Sequence, residues 1–128
     1  MAKDKLTLKT LDFEIEFYEK LLENNPDEIS TLIPLGDVYT QRGLYEKGLA
    51  IDKRLVNLRP KEPVFYYNLA CSFSLLGKKK EAIQAIKRAF ELGYRDFEQI
   101  KLDGDLDNIR YDNRFRALLK KHKLSSKV

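Results

Sequence analysis

Two glycines 34 residues apart, Gly43 in QRGLYEKGL and Gly77 in LLGKKKEAI, occupy the same phase of two successive helical hairpins. The register extends to their neighbours: Leu35-Gly36 recurs as Leu69-Ala70, Tyr39 as Phe73, Leu49 as Ile83 and Leu55 as Ala89. Such self-similarity at a fixed period is the mark of a repeat architecture, in which each unit buries its apolar face only by stacking on the next.

The apolar periodicity is helical throughout. Leu11, Ile15, Tyr18 and Leu22 recur every three to four residues from Thr10 to Glu23, and Asn24-Asn25-Pro26 ends that helix. Asp27 is placed to cap a helix through Gln41, with Gly43 at its end, and a second runs from Tyr45 to Leu58. Pro63 opens a helix to Leu76 that Gly77 stops, and Lys79 to Leu92 follows, with Gly93 as its stop. Connections this short force neighbouring helices antiparallel. After Gly93 the pattern frays into a short helix at 97–102, an aspartate-rich turn and a last helix from Asn113 to Lys121. This divergent pair is expected to seal the exposed end. Residues 1–9 are expected to be flexible, 10–121 to form one helical domain, and 122–128 to be a basic, disordered tail. Phe13 and Phe17 lie beside the core-facing stripe of the first helix, so Leu6 and Leu8 folding back, or a second chain, is expected to cover them.

Composition narrows the function classes. Of 128 residues, 43% are hydrophobic and 34% charged, which suits solvent-faced helices. No apolar run reaches membrane-spanning length and the opening residues lack a secretory signal pattern, so a cytoplasmic protein away from membranes is expected. The single cysteine, Cys71, excludes an internal disulfide. His122 is the only histidine and no phosphate-cradling glycine loop is present, so no enzyme, cofactor or metal site is expected. Asp103, Asp105 and Asp107 begin like a calcium loop, but Asn108 and Arg114 stand where its glycine and glutamate belong. The net charge of +4 is uneven: residues 1–62 carry 10 basic and 12 acidic groups, residues 63–128 carry 14 and 8. Arg110, Arg114, Arg116, Lys120, Lys121, Lys123 and Lys127 form a basic end, but no aromatic set for base stacking accompanies it, so nucleic acid binding is the disfavoured reading.

The quoted residues resemble the tetratricopeptide repeat. Leu32, Leu35-Gly36, Tyr39, Gly43, Tyr45, Gly48 and Pro60 meet its pattern in a repeat at 29–62, and Tyr66, Leu69-Ala70, Phe73, Gly77, Ala82 and Ala89 meet it in a repeat at 63–96. Asp52 departs from it, standing where the pattern has an aromatic residue. Residues 10–26 resemble a half repeat, and the segment from Tyr94 to Leu119, which overlaps the divergent pair at 97–121, resembles a C-terminal ending in which the aspartates and arginine are structural. The resemblance implies an all-α, right-handed solenoid of antiparallel helix pairs, about two full repeats with partial repeats at both ends. It further implies a non-catalytic module that holds a peptide segment or partner helix on a concave face. The nominated groove residues are Ile33, Asp37, Thr40 and Gln41 from one helix and Tyr67, Asn68, Cys71 and Ser74 from the next. A subclass of the family grips chaperone carboxylate tails with Lys, Asn and Arg; only Asn68 fits, and Asp37 would repel a carboxylate. A homo-oligomeric scaffold through Phe13 and Phe17 is the alternative.

Overall fold

The computed structural model describes residues 3–126, with side chains through residue 123. It is a helical-repeat solenoid. Helices α1 (Lys5–Asn24), α2 (Ile29–Gln41), α3 (Tyr45–Leu58), α4 (Pro63–Leu75), α5 (Lys79–Glu91), α6 (Phe97–Leu102) and α7 (Asn113–Ser126) follow one another, with a single 3₁₀ turn at Gly104–Leu106. Consecutive helices pack in series from α1 to α5; the 3₁₀ turn folds back on α4 and α7 on α5.

The glycines of the repeat register are true helix terminators. Gly43 and Gly77 adopt φ of 85° and 73°, and after each the chain closes with the paired bonds of a Schellman cap. Gly43 N donates to Thr40 O and Leu44 N to Tyr39 O; Gly77 N donates to Ser74 O and Lys78 N to Phe73 O. A Cβ at either position would meet nothing within 4 Å, so only the left-handed backbone demands glycine there. Close packing explains Gly36 and Gly48 instead: a Cβ would sit 3.2 Å from Ile51 Cγ2 in the first case and 3.0 Å from Thr40 Oγ1 in the second. Ala70 and Ala82 are fully buried at the corresponding positions of the second pair, where small residues let helix backbones approach.

The buried side chains divide into one large cluster and two small ones. The large cluster joins α4 and α5 to the C-terminal segment through Ile86, Phe90, Ile100, Leu106, Ile109 and Phe115, none more than 1% exposed. The small ones hold α1 on α2 through Leu11, Ile15, Leu35, Val38 and Tyr39, and α2 on α3 and α4 through Leu32, Leu55 and Phe65. Burying each large side chain contributes about 1.5–3 kcal/mol, so the C-terminal half holds most of the apolar stabilisation.

Several local expectations need correction. Helix α1 begins at Lys5 rather than Thr10, because Asp4 caps it by accepting a 2.7 Å bond from Thr7 N. Leu6 and Leu8 are therefore part of that helix and do not fold back; Leu6 is 75% exposed. Helix α7 continues to Ser126 instead of giving way to a disordered tail at 122, and residues 127–128 lie outside the described part. Asp27 does not cap α2; Glu28 takes the cap position and Asp27 instead pairs with Arg54 at 2.6 Å. At the start of α7 Asp112 pairs with the Arg114 side chain at 2.9 Å and accepts from Arg114 N at 2.9 Å, and those contacts hold its carboxyl down at about 2. Tyr45, at an aromatic position of the repeat pattern, is exposed.

Candidate functional site

Helices α2 and α4 present neighbouring faces, and the segment after α5 folds across them. The result is a hollow of about 290 Å³ rather than an open trough. Asp37, Thr40 and Gln41 form its α2 wall, Tyr67, Asn68 and Cys71 its α4 wall, Asp52 and Ser72 its floor, and Gln99, Asp103 and Asp105 the third side. A second, wider hollow of about 470 Å³ lies on the other side of Tyr67 and Asn68, against Pro63, Tyr94 and Asp96.

Six of the eight predicted groove residues are thus brought together, but on different terms. Asp37 and Gln41 are exposed at the rim and Asn68 is half-buried; these are the polar groups that an incoming chain would meet. Thr40 turns its hydroxyl back to Gly36 O at 3.1 Å, as helical threonines do. Tyr67 and Cys71 are only 4% and 6% exposed, because the C-terminal segment covers them. Tyr67 Oη donates to Asp103 Oδ2 at 2.7 Å, its ring stacks on Tyr94 with centroids 4.4 Å apart, and Cys71 Sγ lies 3.7 Å from the same carboxylate oxygen. Both are structural parts of the wall. The remaining two lie elsewhere. Ser74 is fully buried and its carbonyl accepts the Asn108 side-chain amide at 2.7 Å, so it is a clamp for the C-terminal segment. Ile33 is exposed on α2 but lies beyond the hollow.

The hollow is acidic, a property spread over three sequence regions. Asp52, buried under Gly36, accepts a hydrogen bond from Ser72 Oγ; burial, opposed by that bond and reinforced by the Asp37 charge, pushes its carboxyl up to about 7. Asp37 is raised by partial burial. Asp105 is raised by burial and by the negative neighbours Asp103 and Asp107. The thiol of Cys71 is pushed up, first by burial and then by Asp103 and Asp105, so at neutral pH it is a proton-bearing group and no nucleophile. Raised carboxyls crowded into one hollow are a surface that welcomes positive charge. Asp52, Asp103, Asp105 and Gln99 fall outside the predicted set. In sequence Asp52 is only a departure from an aromatic position, and Asp103 and Asp105 are only turn formers.

Two members of the basic end are engaged within the fold. Arg110 donates to Ile100 O at 2.9 Å and to Asp103 O, and Arg114 pairs with Asp112 at 2.9 Å. Arg110 thereby secures the carbonyls at the end of α6, which removes it from any row of outward cations.

Known proteins share both the repeat and the architecture. A family model for the tetratricopeptide repeat matches residues 64–92, which is the hairpin of α4 and α5. The chain carries a tetratricopeptide repeat. A stretch of 85 residues is 32% identical to a chloroplastic protein of Arabidopsis thaliana, covering 64% of this chain; the chain spans a quarter of that relative's length. The crystal structure of MamA superimposes with a TM-score of 0.63 at 22% identity, each chain covered in full, a likeness of fold. Among the described residues no helix is long and apolar enough to cross a membrane.

Proposed function

We propose that the protein is a non-catalytic adaptor whose concave side holds a short extended segment of a partner protein, and that a lysine or arginine of that segment enters the hollow between α2 and α4. The observation that carries the proposal is the convergence of Asp37, Asp52, Asp103 and Asp105 on one hollow edged by Gln41 and Asn68. A guanidinium or ammonium would take up the negative charge there, while Gln41 and Asn68 offer hydrogen bonds to a peptide backbone. Preorganisation supports the same reading: Tyr67 and Asp103 are already fixed by their mutual bond, so binding need not order them. The acidic lining also speaks against the carboxylate-gripping subclass. A cytoplasmic setting is part of the proposal and is checked by fractionating cells that carry the tagged chain.

Selection from a displayed library of random peptides tests the groove reading. Wild type should enrich lysine- and arginine-containing segments, and Asp37→Lys, a change at an exposed rim position, should abolish that enrichment while leaving the helical circular dichroism unchanged. Enrichment of acidic or purely apolar segments by wild type would overturn the reading. Tyr67→Ala is a poor probe, because it removes a buried ring from the wall itself.

A further inference from the structure

Helix α1 has a second apolar face that nothing among the described residues covers. Leu11 and Ile15 point into the array at 4% and 9% exposure, whereas Leu6, Phe13, Phe17 and Leu21 are 75%, 71%, 51% and 46% exposed. Successive spacings of seven, four and four residues put those four side chains in one stripe, about 22 Å long at 1.5 Å per residue. Solitary exposed apolar residues are ordinary on a protein surface, but an aligned row with two phenylalanines at its centre is an interface pattern.

The charges on α1 identify what fits the stripe. Residues 3–9 hold Lys3, Asp4, Lys5 and Lys9, net +2, and residues 12–23 hold Asp12, Glu14, Glu16, Glu19, Lys20 and Glu23, net −4. A helix with one basic and one acidic half complements a copy of itself running the other way, and repels a copy running the same way. We infer that α1 is a homodimerisation helix that pairs with α1 of a second copy in antiparallel orientation, about a two-fold axis beside Phe13.

The register follows from the stripe. With the axis there, Leu6 packs on the partner's Leu21, Phe13 meets its own copy, and Phe17 lies over the partner's Thr10. Lys5, Lys9, Glu16 and Glu23 share one flank of the helix. In an antiparallel pair that flank faces its own equivalent, so Lys9 approaches the partner's Glu16, Lys5 approaches the partner's Glu23, and symmetry repeats both. Lys20 on the same flank is already held by Glu16 of its own helix at 3.5 Å. On the other flank Glu14 stands beside the axis and faces the partner's Glu14, a like-charge approach. The interface stands apart from the groove, since α1 contributes no side chain to the hollow between α2 and α4.

Sedimentation equilibrium on the full chain tests the inference. Wild type should sediment at twice the chain mass, and Phe13→Glu/Phe17→Glu should sediment at the chain mass with unchanged helical circular dichroism. Lys9→Glu should weaken the dimer about tenfold or more, since symmetry loses two pairs at once. Adding Glu16→Lys to it should restore most of that loss, and Glu14→Gln should tighten the wild-type dimer. Orientation is read by oxidising mixed single-cysteine chains on a Cys71→Ser background. Leu6→Cys should cross-link to Leu21→Cys in preference to itself. A monomeric wild type at high concentration, preferential Leu6→Cys self-cross-linking, or failure of the charge swap to restore the dimer would each overturn the inference.

Discussion

At one end of the array Phe13 and Phe17 stand 71% and 51% exposed on α1; at the other, Phe90 and Phe115 are each 1% exposed. Both ends face the same problem, a helix whose outer side lacks the next repeat. The C-terminal end solves it within the chain. After Gly93 the polypeptide abandons the repeat, folds the 3₁₀ turn onto α4, and returns α7 onto α5. Asn108 on Ser74 O and Arg110 on Ile100 O fasten that cover with buried carbonyls. Among the described residues nothing covers the outer face of α1, and charges of both signs flank it. The difference teaches that covering an end also shapes a site, because the segment that seals α5 supplies Gln99, Asp103 and Asp105 to the hollow.

The sharpest way to break this contrast is to delete matched aromatics. Phe115→Ala should destabilise by about 3–5 kcal/mol, the usual loss for a buried ring, whereas Phe13→Ala should shift the urea midpoint of a dilute sample by almost nothing. Equal effects would mean that the two ends are alike. Next in size is the pH response of the floor of the hollow. Asp52 titrates near 4 in the unfolded chain and at about 7 in the fold. The folded state therefore binds the extra proton between those values, and its contribution to stability is intact below pH 4 and falls as pH rises to 7. The slope is at most about 1.4 kcal/mol per pH unit. Asp52→Asn should flatten that slope and make the variant more stable than wild type at pH 8, as read by chemical denaturation at a series of pH values. Gly77→Ala should lose about 1–2 kcal/mol through the left-handed backbone alone, and Gly43→Ala the same, since neither site is crowded; unequal losses would show that the two repeats do not share one terminator chemistry. The smallest effect belongs to Tyr67→Phe, expected to lose about 1 kcal/mol with the Asp103 hydrogen bond and to loosen hydrogen-exchange protection at residues 99–106 more than in α2.

Much of the framework was legible in the residues. The period of helical apolar positions, the glycine terminators and the small residues at backbone contacts are local signals, and α2 to α5 follow from them within a residue or two. The beginning of α1 was less so: Lys5-Leu6-Thr7-Leu8-Lys9 alternates apolar and polar like a strand, and only the capping bond from Asp4 identifies it as the first turn of the helix. The site was half legible. Asp37, Gln41 and Asn68 fall on their faces by helical phase, a property of one helix at a time. That Tyr67 is covered depends on Asp103, 36 residues later, and that Ser74 is a clamp depends on Asn108, 34 residues later. Such pairings belong to a segment that has left the repeat, where no periodicity reports what meets what.

The wall beside α4 also sets a scale for any chain lying along the concave face. Two helices side by side offer about 20 Å, the reach of about six extended residues. Tyr67, Asn68 and Gln99 line both hollows, so they form a divide between an acidic chamber and a wider one at Pro63 and Tyr94. A guest segment longer than that reach would cross the divide and be read in both chambers in turn.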